Sequence, residues 1–366
     1  MDISGRELLD QARDAFAKFL PDYIELQEPT YGDTTAGDRG NEAVWELRAQ
    51  NSGYGQVLVM AKNPFAPRDA ERILAGLTPA VRQLMGHQPT ILVVAPWLSP
   101  RSREVLHEKG FCYLDLTGNV FFRAERPAIF VQVQGSERDP NPPKTRQVGV
   151  QGPKARRLVR LLVDYLPPLR LTDLAAAGGL NPGYVSRLLD ALNDQALVER
   201  GRRGLVEQVA WRPLLEVVAS SYALMKGNPG RTFVAPGGAA AMLRRLGEGG
   251  APDVVVTGSF AAAAVEPVAA PSQLVLSAAD PEAVRQFGAL LPTDRGADVM
   301  VLRPTDPTPL DRARLVDGVR HVALSQLVLD CLNGPGRLPQ EGRAVLDWMT
   351  RHESAWRTRT LSAGPE

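Results

Sequence analysis

Apolar positions in the first third of the chain switch between the two periods of regular structure. The opening "MDISGRELLDQARDAF" repeats apolar residues at helical spacing and predicts a helix near residues 4 to 19. "AVWELRA" and "GQVLVMAK" alternate as strands, "TILVVAP" reads as a buried strand and "AIFVQVQ" as a last one. Helices are predicted from Pro67 to Leu84 and from Pro100 to Lys109, and "GFCYLDLTGNVFF" reads as strand, Gly-Asn turn and strand. This alternation predicts an α/β sheet. The pattern then breaks at "GSERDPNPPKTRQVGVQGPK", where prolines, glycines and charges mark a linker.

Helical spacing resumes in "KARRLVRLLVDYL", which puts Leu158, Leu161, Leu162 and Tyr165 on one face and Arg156, Arg157 and Arg160 elsewhere. "RLTDLAAAGGL" predicts a short second helix, with Thr172 as its N-cap and Gly178-Gly179 as its stop. Asn181 then caps a third helix that starts at Pro182 and gathers Val185, Leu188, Leu189 and Leu192 on one face. "ALVERGRRGLVEQVAW" reads as a hairpin with Arg200, Arg202 and Arg203 at its tip. Helix, helix, capped helix and hairpin is the order of a winged helix-turn-helix. After a second shift at "KGNPGRTFVAPGG", the stretch "PDVVVTGSFAAAAVEP" predicts a buried strand, a Gly-Ser turn and a helix.

Composition and charge sharpen this picture. A chain of 366 residues with 44% hydrophobic content is long enough for several cores. Its net charge of +1 excludes a whole-protein field for polyanions, so a nucleic-acid site must be a local patch. Such a patch exists: from Lys144 to Arg203 there are eleven Lys and Arg against five Asp and Glu. Cys112 and Cys331 stand alone, away from zinc-ligand spacing, as expected of buried free thiols in a reducing compartment. No stretch is apolar enough for a membrane span or signal peptide, so a cytoplasmic location without membrane contact is expected.

The winged-helix segment resembles the DNA-binding domains of MarR-like and IclR-like regulators, with "YVSRLLDALNDQALVER" matching the recognition helix and the lead into the wing. The first block resembles a restriction-endonuclease-like core, in which an acid on one strand and a (D/E)-x-K on the next hold a divalent metal. Here "VMAK" supplies Lys62 but puts Met60 at the acid, and Glu46 on the preceding strand is expected to be the only nearby acid. An inactive nuclease-like domain with no metal is therefore expected. Asp115 and Asn119 read either as a polar pair facing a groove or as an Asx turn bonding backbone amides. Together with "PWLSPRSREVLHEKG", their segment is similar to bacterial regulators that join a nuclease-like module to a winged helix.

The last block resembles nucleotidyltransferase folds, where a Gly-Ser pair holds a triphosphate and a following D-x-D binds metals. Gly258 and Ser259 are the candidate ligand-binding pair, but "APSQLVLSA" carries no carboxylate. "TGSFAAA", "GADVMVL" and the run from "SQLVLD" to "GPGR" resemble the AbiEi-type antitoxin family over roughly residues 155 to 350. That resemblance implies a winged helix joined to a nucleotidyltransferase-like domain, binding of promoter repeats and a toxin partner.

The expected architecture is multidomain, α/β and α+β. It comprises a degenerate nuclease-like domain at 1–136, a linker at 137–152, a winged helix-turn-helix at 153–228, a degenerate nucleotidyltransferase-like domain at 229–352 and a flexible tail at 353–366. The expected function is sequence-specific binding of double-stranded promoter or operator DNA by a non-enzymatic regulator of type IV antitoxin kind, without a cofactor. A toxin and a second copy of the chain are the other candidate partners. Asn181, Tyr184, Ser186 and Arg187 are the candidate base-reading end of the helix, and Arg156, Arg157, Arg200, Arg202 and Arg203 the candidate phosphate contacts. The alternatives are a metal-dependent DNA nuclease, and an antitoxin that binds a nucleotide or protein through its C-terminal domain.

Overall fold

The computed structural model describes residues 4–28, 30–31, 41–49, 54–76, 90–141, 150–201, 204–306 and 308–361. The chain is mixed α/β and divides into two compact units, one of Met1–Arg146 with Asp194–Ala196, the other of Gln147–Asn193 with Leu197–Glu366.

The first unit is built on one sheet in the order β1 (Ile24–Leu26), β3 (Glu42–Ala49), β4 (Tyr54–Ala61), β5 (Thr90–Ala95), β6 (Cys112–Asp115), β7 (Val120–Glu125), β8 (Ala128–Val133), with β2 (Thr30–Tyr31) also on β3. β4, β5 and β6 run parallel and the remaining pairs are antiparallel. Strand alternation decides what each face buries. Ala43, Trp45, Leu47, Val57 and Val59 meet Leu8, Leu9, Ala12 and Phe16 of helix α1 (Gly5–Ala17) on one side. Leu58, Met60 and Val93 pack with Ile73 of α2 (Asp69–Gly76) and Val105 and Leu106 of α3 (Pro100–Glu108) on the other. β5 is covered on both faces, which is why it reads as an unbroken apolar run. The rest of the helix expected up to Leu84 lies outside the described residues.

The Asp115 and Asn119 pair resolves as an internal turn. Asp115 Oδ1 accepts the amides of Thr117 (2.9 Å) and Asn119 (3.0 Å), and Oδ2 accepts that of Leu98 (3.0 Å). Asn119 donates to Asp115 and to Ser136 O, and accepts from Arg103 and the Gly135 amide. Both residues are buried and their polar atoms are matched, so they organise loops and face no groove.

The second unit opens with α4 (Pro153–Asp164), α5 (Leu171–Gly178), α6 (Pro182–Asp194) and the antiparallel hairpin of β9 (Val198–Arg200) and β10 (Val206–Val209). Leu169 adds a bridge to Val206, a third strand position in the wing that the sequence pattern did not announce. Helices α7 (Trp211–Ser220) and α8 (Leu224–Gly227) lead on to a mixed sheet. Its order is β14 (Leu291–Pro292), β11 (Gly230–Val234), β15 (Val299–Leu302), β13 (Leu274–Ala278), β12 (Val254–Thr257), β17 (Val319–His321), β16 (Arg314–Val316). Helices α9 (Ala239–Gly247), α10 (Gly258–Ala263), α11 (Pro281–Gly288), α12 (Leu324–Leu332), α13 (Leu338–Arg351) and α14 (Glu353–Trp356) complete it.

Several expectations are corrected here. The regions expected as two domains, 153–228 and 229–352, share one continuous core and belong to one compact unit. α4 is buried nearly all round, because it is enclosed by α5, α7 and α12 and by the segment near Thr308. Arg160 on it is fully buried, giving hydrogen bonds to Asp311 O (2.7 Å), Ser325 Oγ (3.4 Å) and Thr308 O. Burial among these groups, with Arg312 nearby, lowers its pKa to about 10. The stretch expected as a tail instead returns to α4 up to Leu361. Trp356 stacks edge-on against Trp211 at 5.0 Å, and buried Arg357 donates to Val163 O (2.8 Å) and Tyr165 O (2.8 Å). Residues 362–366 lie outside the described residues.

Candidate nucleic-acid interface

The turn between α5 and α6 is set by two glycines and one asparagine. A Cβ on Gly178 would lie 3.3 Å from Leu161 Cδ1 and 3.0 Å from Leu180 Cδ1, so a hydrogen there lets α5 approach α4 closely. Gly179 takes φ +57° and its amide closes α5 on Ala175 and Ala176 carbonyls. Asn181 Oδ1 then accepts the Gly183 (2.9 Å) and Tyr184 (3.3 Å) amides, which fixes the start of α6. Val185, Leu188, Leu189 and Leu192 are buried as their spacing predicts. The expected cap of α5 is corrected. Arg170 occupies the N-cap position without a side-chain bond, and Thr172 lies inside the first turn, bonded to Asp173.

The base-reading candidates fall at one end of α6. Asn181, Gly183 and Arg187 are exposed, while Tyr184 and Ser186 are half-buried. The Tyr184 ring packs against the core, and burial raises its phenol pKa. Arg187 has no hydrogen bond or ion pair among the described residues, and its Nη1 would lie 3.7 Å from a Cβ on Gly183. A larger residue at position 183 would therefore crowd that guanidinium.

The phosphate candidates separate. Arg200 is mostly covered and its guanidinium pairs with Asp190 on α6, while its amide donates to Asn193 Oδ1 at 3.1 Å. It ties the wing to the helix. Gly201 follows Arg200, and a Cβ there would meet only the carboxylate of exposed Glu207, the end of a flexible side chain. Arg202 and Arg203 lie outside the described residues. Arg156 and Arg157 are corrected. Arg156 pairs with Asp306 at 3.4 Å and lies 5.0 Å from the centre of the Tyr222 ring. Arg157 donates to Thr308 Oγ1 (3.3 Å) and Gly178 O (3.2 Å). Periodicity showed them off the main apolar face, but α4 has partners on that side too.

The two enzyme-like positions are internally committed. Met60 pairs in register with Glu42, and Glu46 lies opposite Gln56, so Glu42 is the strand acid beside Met60 that the sequence reading passed over. Glu46 Oε1 accepts from Tyr54 Oη at 2.9 Å, which raises the Tyr54 pKa. Among the described residues no group of three or more His, Cys, Asp or Glu could hold a metal. Ser259 Oγ donates to buried Glu341 at 2.6 Å. Gly258 has φ +68°, and a Cβ there would lie 3.2 Å from Val275 Cγ2, so it serves packing between α10 and β13. Asp298 Oδ1 accepts the Ala235 amide at 2.8 Å.

Beneath that turn lies a buried network that sequence reasoning missed. Asp330 accepts from Thr257 Oγ1 (2.6 Å), Gln326 Nε2 (2.7 Å) and Tyr222 Oη (2.9 Å). Burial raises the pKa of Asp330 and of Tyr222. The "SQLVLD" run was the only visible trace, since its partners lie far off in sequence.

No family model matches the chain, and no curated protein matches it. Among solved structures, EndoMS in its apo form is similar at 17% identity and a TM-score of 0.23. That alignment covers 32% of this chain and 47% of the other.

Proposed function

We propose that the chain is a double-stranded DNA-binding transcriptional regulator, of the antitoxin-like kind its resemblance to the AbiEi family implies. The observation that carries this is the exposed start of α6. Asn181 holds it, Arg187 stands on it without a side-chain partner among the described residues, and the Arg200–Asp190 pair ties the β9–β10 hairpin to α6. A rigid helix end with an uncommitted guanidinium can read a guanine edge, while cations on an adjoining wing hold phosphates. In this reading Arg187 specifies, Arg200 positions the wing, and Arg202 and Arg203 supply the backbone contacts.

Two variants test it. Arg187→Ala should cost roughly 1–3 kcal/mol on the chain's own promoter fragment and much less on random duplex. Arg202→Ala with Arg203→Ala should weaken both alike and lower the salt slope by about one unit per lost contact. Fluorescence titrations at several salt concentrations separate these outcomes. Equal weakening of both DNAs by Arg187→Ala would overturn its role. Wild-type protein without salt-dependent duplex binding would overturn the function.

A further inference from the structure

We propose that β8 is a pairing edge for a second copy of this chain, joining two first-unit sheets antiparallel across a two-fold axis. The outer strands of the two large sheets differ in how they protect their free backbone groups. β1 is three residues long and carries Glu25, and β2 has only two residues. β14 is two residues with a proline, and β16 is three residues beginning with Arg314. Shortness, charge and proline are the usual means of blunting an edge. β8, "AIFVQV", has none of them. It is six residues long, uncharged and free of proline.

Its backbone is open as well. Among the described residues β8 pairs only with β7, and no other backbone or side-chain bond reaches residues 128–133. In an antiparallel pair alternate residues bond inward, so the others turn their amides and carbonyls outward. The strand is also held in shape at its far end. Gly135 donates to Asn119 Oδ1 at 2.9 Å, and a Cβ there would fall 2.3 Å from Thr117 O. The edge is therefore preorganised, which lowers the ordering cost of binding.

The occupant follows from the side chains. Phe130 is 65% exposed and Val133 39% exposed, unusual values for apolar residues on an ordered strand. Phe130 ends an aromatic row on one sheet face, in which His107 stacks on Phe121 at 4.6 Å and Phe121 meets Phe130 edge-on at 6.1 Å. An uncharged strand paired with itself about Val131 sets Phe130 opposite Gln132, places no like charges opposite each other, and brings the two Phe130 rings within diagonal reach. A charged peptide would find no complementary charge along it. The contact is isologous, so it closes at two copies. It does not depend on the DNA reading; if both hold, the paired winged helices require inverted half-sites.

The test is the mass of the full chain in solution by light scattering and sedimentation, over a range of concentration. Wild type should run at twice the chain mass. Phe130→Lys with Gln132→Lys, both exposed positions, should run at the single mass with an unchanged circular dichroism spectrum. Leu315→Lys, at a residue 72% exposed on β16, should stay dimeric. Hydrogen exchange supplies a second readout. Amides of residues 128–133 should exchange at least tenfold faster in the double variant than in wild type, with α1 unchanged. A monomeric wild type at every concentration overturns the proposal, as does a dimer that survives the double variant. Undiminished random-duplex binding by the monomeric variant would show that pairing and DNA contact are separate properties.

Discussion

His321 shows how one residue can carry a pH dependence for the whole chain. It is 2% exposed on β17, its Nδ1 has no hydrogen-bond partner among the described residues, and Arg314 lies opposite it in register. Burial first, and then the Arg314 charge, push its pKa down to about 4. The unfolded chain therefore binds this proton more readily than the folded one, so protonation favours unfolding. Stability should be constant above about pH 6.5 and fall progressively toward pH 4. Urea midpoints across that range should show the fall, and His321→Gln should flatten it; an unchanged acid limb would mean other groups carry it. Arg160 makes a different point: a cation can be buried without a bonded carboxylate when backbone carbonyls and a hydroxyl take its donors.

At the scale of elements, α6 depends on its cap and its apolar face in different ways. Four buried side chains, Val185, Leu188, Leu189 and Leu192, hold the helix to the core, each contributing about 1.5–3 kcal/mol. Asn181 contributes less but decides where the helix begins. Asn181→Ala should therefore lower stability by about 1 kcal/mol in denaturant titrations while fraying only the first turn. Because Tyr184 stands on that turn and Arg187 on the next, the proposed DNA affinity should fall more than stability does. If DNA affinity is unaffected, the start of α6 is not the reading end. The wing behaves oppositely, since Arg200, Asp190 and Asn193 fasten its base by side chains rather than by burial.

For the whole molecule, the second unit joins the α4–α6 helices, the β9–β10 hairpin and the β11–β17 sheet in one core, through α4, α7 and the returning segment that carries Arg357. Met60 stands opposite Glu42, Ser259 is bonded to Glu341, and among the described residues no group of three or more His, Cys, Asp or Glu could hold a metal. Plasmid incubated with the chain and magnesium or manganese should accordingly stay intact on agarose gels. Cleavage that disappears in Lys62→Ala would show that a catalytic metal assembles beside Lys62.

The sequence by itself determined the elements whose signals are local. Alternation in "AVWELRA" and "GQVLVMAK", the 3.6-residue stripe of α6, its Asn181-Pro182 start and the Gly-Ser turn all follow from backbone geometry and nearby solvation. The Asx turn of Asp115 was legible for the same reason, as one of two readings. Tertiary structure alone decided which polar side chains remain available. Arg156, Arg157 and Arg160 look equivalent to Arg187 in a list of cations, yet the first three are met by groups about 150 residues away while Arg187 is met by none among the described residues. The same long-range closure made the expected tail part of the core, because carbonyls at the end of α4 bind the Arg357 guanidinium. Periodicity specifies the face that must leave water; only the folded chain supplies the donors and acceptors that claim the rest.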